Sequence, residues 1–285
     1  MKKENIAIVE MMICATLWSI AGIFIKLIPW NGFAIAGLRS LIAGLTFVVY
    51  MLITRKRYVM SKKSLFGGIM TAGVYTCFTV ANKLTTAANA IVLQFTSPVF
   101  IVVLSAIFLK QKIRKKDLAV VAATFAGIAL FFFDQLKPGY ILGNCVAILA
   151  GLFMAVMFIV VGTQEGDERY STILNGQFFT FLVGLPFIIM TRPEFTLSST
   201  ASILVLGVFQ LGISYILYVR ATKYCPALAC CLIGALEPLL NPVWVLIFDG
   251  ERPGVFALVG GVIVVVSITI WCIFDKKEEP VQGEA

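Results

Sequence analysis

The 285-residue sequence contains no histidine and little charge of either sign. Charged residues make up 13% of the chain, against about 25% in an average soluble protein. Hydrophobic residues make up 60%, and the mean hydropathy is +0.96. A chain this apolar cannot keep its surface in water, so we expect lipid to be its solvent. The absence of histidine argues against a zinc or haem site, and we expect neither a metal nor a cofactor.

The cysteines lack a pattern that would suggest chemistry. We interpret them as small apolar packing residues rather than as disulfide partners or metal ligands, because none has a paired spacing. No nucleotide-binding motif is present either, so direct use of ATP is not expected. The seven cysteines lie in or at the ends of apolar runs, at Cys14, Cys77, Cys145, Cys225, Cys230, Cys231 and Cys272.

Ten apolar runs are each about long enough to cross a bilayer. Charged clusters or turn residues, such as Pro29-Trp30-Asn31-Gly32, separate them. We therefore predict an all-α integral membrane protein with ten transmembrane helices and no soluble domain. The predicted spans are 6–27, 32–53, 64–83, 86–108, 117–133, 141–162, 171–190, 199–219, 227–248 and 254–274.

Lysine and arginine are distributed unevenly between the segments that join these runs. If the amino terminus is cytoplasmic, the cytoplasmic segments carry 17 of these residues and the outer segments carry five. Such an excess satisfies the positive-inside rule. It predicts a bacterial-type cytoplasmic membrane protein with both termini cytoplasmic and a disordered tail at 277–285. Because membrane topology explains the net charge of +8, we do not expect a nucleic-acid partner.

The two halves of the chain align without gaps when one is shifted by 140 residues. Each half holds five predicted spans, and an odd number forces the second copy to insert upside down. We predict two inverted five-helix repeats, at 1–138 and 139–276. That architecture is typical of secondary transporters, which bind substrate near the bilayer midplane. The matched pairs include Trp18 with Phe158, Tyr75 with Tyr215, Phe78 with Tyr218, Lys83 with Lys223, and Pro98 with Pro238.

Several short motifs resemble those of one family, the ten-helix EamA-like branch of the drug/metabolite transporter superfamily. The resemblance covers essentially the whole chain. It implies transport of a small metabolite or drug, through a cavity lined by helices 1, 3, 4, 6, 8 and 9. One departure is Lys110-Gln111-Lys112, where the family often has Gly-Glu. The motifs are Leu17-Trp18-Ser19 with Lys26, Arg39, Thr96-Ser97-Pro98-Val99-Phe100, Leu236-Glu237-Pro238 and Gly250-Glu251-Arg252.

Glu237 is the most informative single residue, because it is the eleventh residue of a 22-residue span. An unpaired charge at that depth costs about 2.5–3.5 kcal/mol on insertion scales. Pro238 removes the amide that would bond the Gly234 carbonyl, and Asn241 and Pro242 follow one turn later. A helix broken by prolines around a carboxylate predicts a substrate or proton site. The alternative is a protonated acid that joins helices structurally.

Aromatic and polar residues at similar depth are further candidates for the substrate site. Trp18, Tyr75, Phe158 and Tyr215 could line a cavity for an apolar or cationic group, or could simply pack helices together.

Gln94 and Ser97 flank the predicted break at Pro98 and could bind a solute or join helices. Arg39 could pair with Glu237, bind a substrate carboxylate, or serve structure.

Together these features predict a secondary transporter that moves a small cationic or amine-bearing solute by alternating access, with a proton as candidate coupling ion. The expected partners are that solute and the bilayer, and the chain would act as a monomer or homodimer. The alternative is a membrane-embedded enzyme acting on a lipid-like substrate. An enzyme would need clustered acids, histidines or cysteines near the headgroups, whereas only Glu10 and Glu237 lie well inside spans. We therefore do not predict an enzyme.

Overall fold

The computed structural model describes residues 3–85, 87–131, 133, 140–240, 244 and 255–275. Asn241, Pro242 and the tail at 277–285 lie outside the described residues. The described residues form ten helices: α1 (Lys3–Trp18 and Ala21–Leu27), α2 (Gly32–Ile53), α3 (Lys62–Leu84), α4 (Ala87–Gln94 and Ser97–Phe108), α5 (Lys115–Phe131), α6 (Ile141–Gly162), α7 (Glu168–Thr191), α8 (Leu197–Ala221), α9 (Ala227–Leu240) and α10 (Val255–Asp275). The predicted all-helical membrane fold is confirmed, with helix ends close to those of the predicted spans.

Among the described helices, seven are long and apolar enough to cross a bilayer alone, namely α1–α4 and α6–α8. Their outer faces are apolar and their inner faces carry polar groups. On α2, for example, Leu45, Val49 and Leu52 are 60%, 54% and 73% exposed, whereas Arg39 and Ser40 are each 1% exposed. This distribution is the one expected when lipid surrounds the protein.

Local sequence signals set several helix ends. Ser61 begins α3 with a capping box, in which its hydroxyl accepts from the Ser64 amide while Ser64 accepts from the Ser61 amide. Thr196 and Ser199 form the same arrangement at the start of α8. These caps fix where the third helix of each half begins.

The helices of the two halves pack against each other across the molecule. α2 packs on α7, α3 on α6 and α7, and α1 on α8 and α9. α5 and α10 pack mainly on each other. α1 begins at the same end of the bundle where α6, its repeat partner, ends, so the two halves are inverted.

We call that end the basic face; its loops are 54–61, 109–114, 163–167 and 222–226. Loop 54–61 is fastened there to the start of α7. The Lys56 ammonium lies 3.0 Å from the Asp167 carboxylate, which also accepts from the Arg57 amide at 3.0 Å. Tyr58 donates to Asn175 at 2.7 Å. The opposite face carries 28–31, where the indole of Trp30 donates to the Glu194 carbonyl.

Candidate functional site

Four helices depart from regular α-geometry halfway through the bundle. α1 is interrupted at residues 19–20, α4 at 95–96 and α9 at 235. α4 resumes at Ser97 with Pro98 in its first turn, and Pro238 follows the break in α9 by three residues. In α8, Leu206–Ile213 is a π-helix, a form that is rare and frequent at functional sites. The irregular segments of all four helices lie at mid-depth, where a transporter needs backbone that is free of regular pairing.

Side chains at the same depth as these irregular segments line a central cavity of about 20 Å³, which has room for about one water molecule. Its described lining comes from α1, α2, α3, α4, α6, α8 and α9, and includes no described residue of α5 or α10. The lining residues are Trp18, Arg39, Val74, Tyr75, Phe78, Gln94, Met154, Gln210, Leu211, Tyr215 and Glu237. Five of the eight residues predicted to bind substrate therefore share one cavity, and Arg39 joins them.

Among the described residues that line this cavity, Glu237 is the only acidic one. It is 8% exposed, and among the described residues it has no hydrogen-bond or ion-pair partner. A buried carboxylate left in this way is costly when ionised. It is therefore suited to bind a cation or a proton.

Arg39 lines the same cavity and forms no ion pair with any described acid. Its Nη1 donates to the Gln210 side chain at 3.1 Å and its Nη2 to the Tyr75 carbonyl at 3.0 Å, while its Nε has no partner. It forms no ion pair with Glu237 in the described structure. Its two bonds instead join α2 to α3 and to the π-helix of α8.

An aromatic cluster lies beside the cavity and holds residues from α1, α3, α6 and α8. The Tyr215 ring lies 4.9 Å from that of Tyr75 and 5.1 Å from that of Trp18, measured between centroids. Tyr218 contacts Tyr215 at 5.7 Å and Phe158 at 5.1 Å. Tyr75 and Tyr215, one of the pairs matched by the 140-residue shift, therefore meet in space. Phe158 is fully buried behind Tyr218 and does not line the cavity.

Ser97 lies just outside the cavity, in contact with Cys231 of α9 at 3.3 Å between oxygen and sulfur. Gln94 lines the cavity and donates to the Met154 sulfur at 3.2 Å, a weak bond that leaves its amide available.

Sequence reasoning missed two residues that organise the site: Ser214 and Met154. Gln210 fixes Arg39, and Ser214 accepts from the Trp18 indole at 3.1 Å while donating to the Gln210 carbonyl. A polar residue inside an apolar span was the available signal for Ser214. Met154 carried no signal, because it resembles any other core residue.

Two larger cavities open at the basic face. The large vestibule, of about 670 Å³, lies between α4, α6 and α9 and includes Ile101 and Leu228. Ile101 is one helical turn from Ser97, so the Ser97–Cys231 contact lies between this vestibule and the central cavity.

The small vestibule, of about 480 Å³, includes Glu10, Arg169, Arg220 and Lys223. Glu10 is paired with Arg220 at 2.5 Å. Arg169 and Lys223 line both vestibules. Within the described ranges, no three histidine, cysteine, aspartate or glutamate residues cluster as a metal site would require.

Comparison with known proteins places this geometry in a family. The profile described as "EamA-like transporter family" matches the chain twice, at residues 5–133 and 141–272. The two matches correspond to the two halves of the bundle. The predicted family resemblance is thereby confirmed.

Individual relatives are distant but extensive. The pseudopaline exporter CntI of Pseudomonas aeruginosa is 22% identical over 230 residues, covering 78% of this chain and 80% of its own. The uncharacterized transporter YdfC of Bacillus subtilis is 24% identical over 278 residues, covering 93% of this chain and 90% of its own. A solved crystal structure superposes with a TM-score of 0.78 at 16% identity, covering 96% of this chain and 99% of that one.

The family match also decides between the two functions that the sequence left open. Both halves of the chain match a transporter family, and the relatives that align over most of the chain are named transporters or exporters. The alternative of a membrane-embedded enzyme is therefore wrong. The chain belongs to the EamA-like transporter family and is a multi-pass membrane transporter.

Proposed function

We propose that this transporter exports a small amine-bearing or cationic solute, which binds in the central cavity with its positive group on Glu237. The observation that carries the proposal is the Glu237 carboxylate, buried at mid-depth with no partner among the described residues. A cation would offset the cost of that charge, and the charge would in turn select a cation over a neutral solute.

The aromatic lining supports the same solute class. Trp18, Tyr75 and Tyr215 line the same cavity as the carboxylate, and ring faces attract ammonium groups by about 0.5–2 kcal/mol each when desolvated. The Tyr75 side chain lines the same cavity, and its hydroxyl can accept or donate a hydrogen bond. Gln94 offers a second neutral polar group on the α4 side.

Proton coupling follows from the same carboxylate. When no cation is bound, burial favours the neutral, protonated form of Glu237. When a cation is bound, its charge favours the ionised form. Proton and solute would then compete for one group, and their alternation would couple export to an inward proton flux.

Alternating access would be provided by movement of the two inverted halves around this cavity. The vestibules open at the basic face, which the positive-inside rule assigns to the cytoplasm, with both termini on that side of the cytoplasmic membrane. A solute would thus enter from the cytoplasm. The relative named as an exporter supports the same direction.

The test uses purified protein in liposomes that contain a pH-sensitive dye. Amine-bearing and zwitterionic metabolites are added in turn, and solute-dependent proton flux is recorded for the wild type and for Glu237→Gln. We expect Glu237→Gln to lower flux about 30-fold or more, since losing a buried charge partner costs at least about 2 kcal/mol.

Glu194→Gln is the matched control, because Glu194 is exposed in a loop at the opposite face and uses only its carbonyl in hydrogen bonds. It should retain wild-type flux. Equal flux and equal pH dependence in wild type and Glu237→Gln would remove Glu237 from the mechanism. If no amine-bearing solute drives flux above that of empty liposomes, the proposed solute class is wrong.

A further inference from the structure

Two lysines fasten α1 to α3 at the opposite face. The Lys26 ammonium on α1 donates to the Asn82 carbonyl at 2.5 Å and to the Thr85 carbonyl at 3.4 Å, both at the end of α3. The Lys83 ammonium on α3 donates to the Ile28 carbonyl at 2.6 Å, at the end of α1. Each lysine thus caps the other helix, where carbonyls lack helical partners and the helix dipole favours a cation. We call this arrangement the clasp.

The internal repeat places an equivalent lysine at the basic face. The 140-residue shift carries Lys83 onto Lys223, Ile28 onto Glu168 and Lys26 onto Gly166. Because the halves are inverted, Lys223 lies at the end of α8 and at the other face of the membrane. The repeat therefore provides a second potential clasp, between Lys223 and the segment 165–168.

In this structure the second clasp is open. Lys223, Glu165 and Gly166 all line the small vestibule, whose volume is about 480 Å³. The Lys223 ammonium donates no hydrogen bond to any described residue, and it lies 5.4 Å from the centre of the Tyr224 ring. Among the described residues the Glu165 carboxylate accepts no hydrogen bond and forms no ion pair, and the cationic group that interacts with it electrostatically is Arg169. Equivalent lysines thus occupy opposite states in the two halves.

We propose that Lys83 and Lys223 are the two gate residues of the transport cycle and that they alternate. In the conformation described, Lys83 holds the ends of α1 and α3 together and the small vestibule is open. In the alternate conformation, Lys223 binds Glu165 and the neighbouring carbonyls, the small vestibule closes, and Lys83 releases Ile28. If each half adopts the conformation of the other in the alternate state, one lysine binds its helix end whenever the other releases its own.

The charge of lysine explains why it can act at both faces. An ammonium group satisfies helix-end carbonyls when the ends are together and is hydrated when they part, so neither state leaves it buried and unpaired. A hydrophobic contact at the same place would favour only the closed state. The gate lysines act on access and do not touch solute in the central cavity, so this inference does not depend on the solute proposed above.

Hydrogen–deuterium exchange of the full chain in lipid nanodiscs tests the inference without solute. Amide exchange is followed in peptides spanning 82–90, at the clasp, and 222–228, at the small vestibule. Lys83→Met should raise exchange in 82–90 and lower it in 222–228, by roughly two- to fivefold, the ratio expected for losing a cation at a helix end. Lys223→Met should have the opposite effect: amide exchange should rise in 222–228 and fall in 82–90. Lys83→Arg, which keeps the charge, should resemble the wild type.

Lys63→Met is the matched control, because Lys63 is exposed on α3 and makes no ion pair with a described residue. It should leave both peptides unchanged. If Lys83→Met raises exchange in both peptides, Lys83 is only a structural cap and the inference is wrong. Lys223→Met removes a side chain that has no hydrogen bond here, so it should fold. An unchanged 82–90 peptide in that variant would also overturn the inference, whatever the result with Glu237→Gln.

Discussion

A close backbone contact between α2 and α7 allows a test of how the two halves of the bundle pack against each other. Gly37 and Gly184 face each other across this contact. A methyl group on Gly184 would lie 2.6 Å from the Gly37 Cα and 2.6 Å from the Phe33 carbonyl oxygen. Backbone atoms cannot rotate away as a side chain would. Gly184→Ala must therefore push the two helices apart by roughly 1 Å to restore ordinary contact.

The expected cost follows from two opposing effects. Overpacking a well-filled interface costs about 1–3 kcal/mol, and replacing glycine by alanine inside a helix returns about 0.5–1 kcal/mol. We expect Gly184→Ala to lower the free energy of unfolding by roughly 0.5–2 kcal/mol. The measurement is thermal unfolding in one detergent, followed by tryptophan fluorescence, with reversibility checked by a second scan.

The repeat supplies a control at the symmetry-related contact. The 140-residue shift carries Gly44 onto Gly184 and Gly37 onto Gln177. A methyl group on Gly44 would lie 3.5 Å from the Gln177 Cβ, which is ordinary contact. Gly44→Ala should therefore raise stability by up to about 1 kcal/mol. If Gly44→Ala and Gly184→Ala shift the unfolding temperature equally and in the same direction, direct backbone contact is not what holds α2 on α7.

Two further stability changes can be predicted. Gln177 is 1% exposed and neither end of its amide has a partner, so Gln177→Met should raise the free energy of unfolding by about 1–3 kcal/mol. Gln210→Met should lower it because it removes the partner of Arg39, and the reverse ranking in thermal unfolding would refute this reasoning. Burial acts to raise the pKa of Asp167, but the Arg57 amide and the Lys56 ammonium outweigh it and hold that pKa below its usual value. The stabilisation is therefore present above the ordinary carboxyl pKa and is lost as pH falls through the lower, folded pKa. Asp167→Asn should flatten the acid limb of a stability–pH curve, and an unchanged limb would contradict this.

The sequence predicted the fold well because lipid imposes a simple requirement. Every span must be apolar, about 20 residues long and internally hydrogen-bonded, so its ends are visible as charge and turn residues. The start of α2 after Pro29-Trp30-Asn31 is an example: Asn31 caps the helix at the predicted position. The 140-residue shift also predicts which residues share a depth, and the Tyr75 and Tyr215 rings that it matches are in contact.

The details of the site were less predictable. The π-helix at Leu206–Ile213 has no local sequence signal that distinguishes it from an α-helix. Depth alone placed Arg39 and Glu237 as potential partners. The rotation of α2 and α8 about their axes places Arg39 against Gln210 instead. That rotation depends on contacts between helices, which a single sequence does not reveal.

The size of the central cavity has a consequence for anyone who seeks the solute. With room for about one water molecule, the central cavity in this conformation is too small for a ligand, so any ligand must select a form with a larger cavity, which the protein populates only in part. The apparent dissociation constant then equals the intrinsic constant divided by the open fraction. In a binding screen at equilibrium, a true solute would therefore show a high apparent dissociation constant. A flux measurement is still sensitive, because every opening of the cavity can transport a solute molecule. Identification should therefore rely on flux.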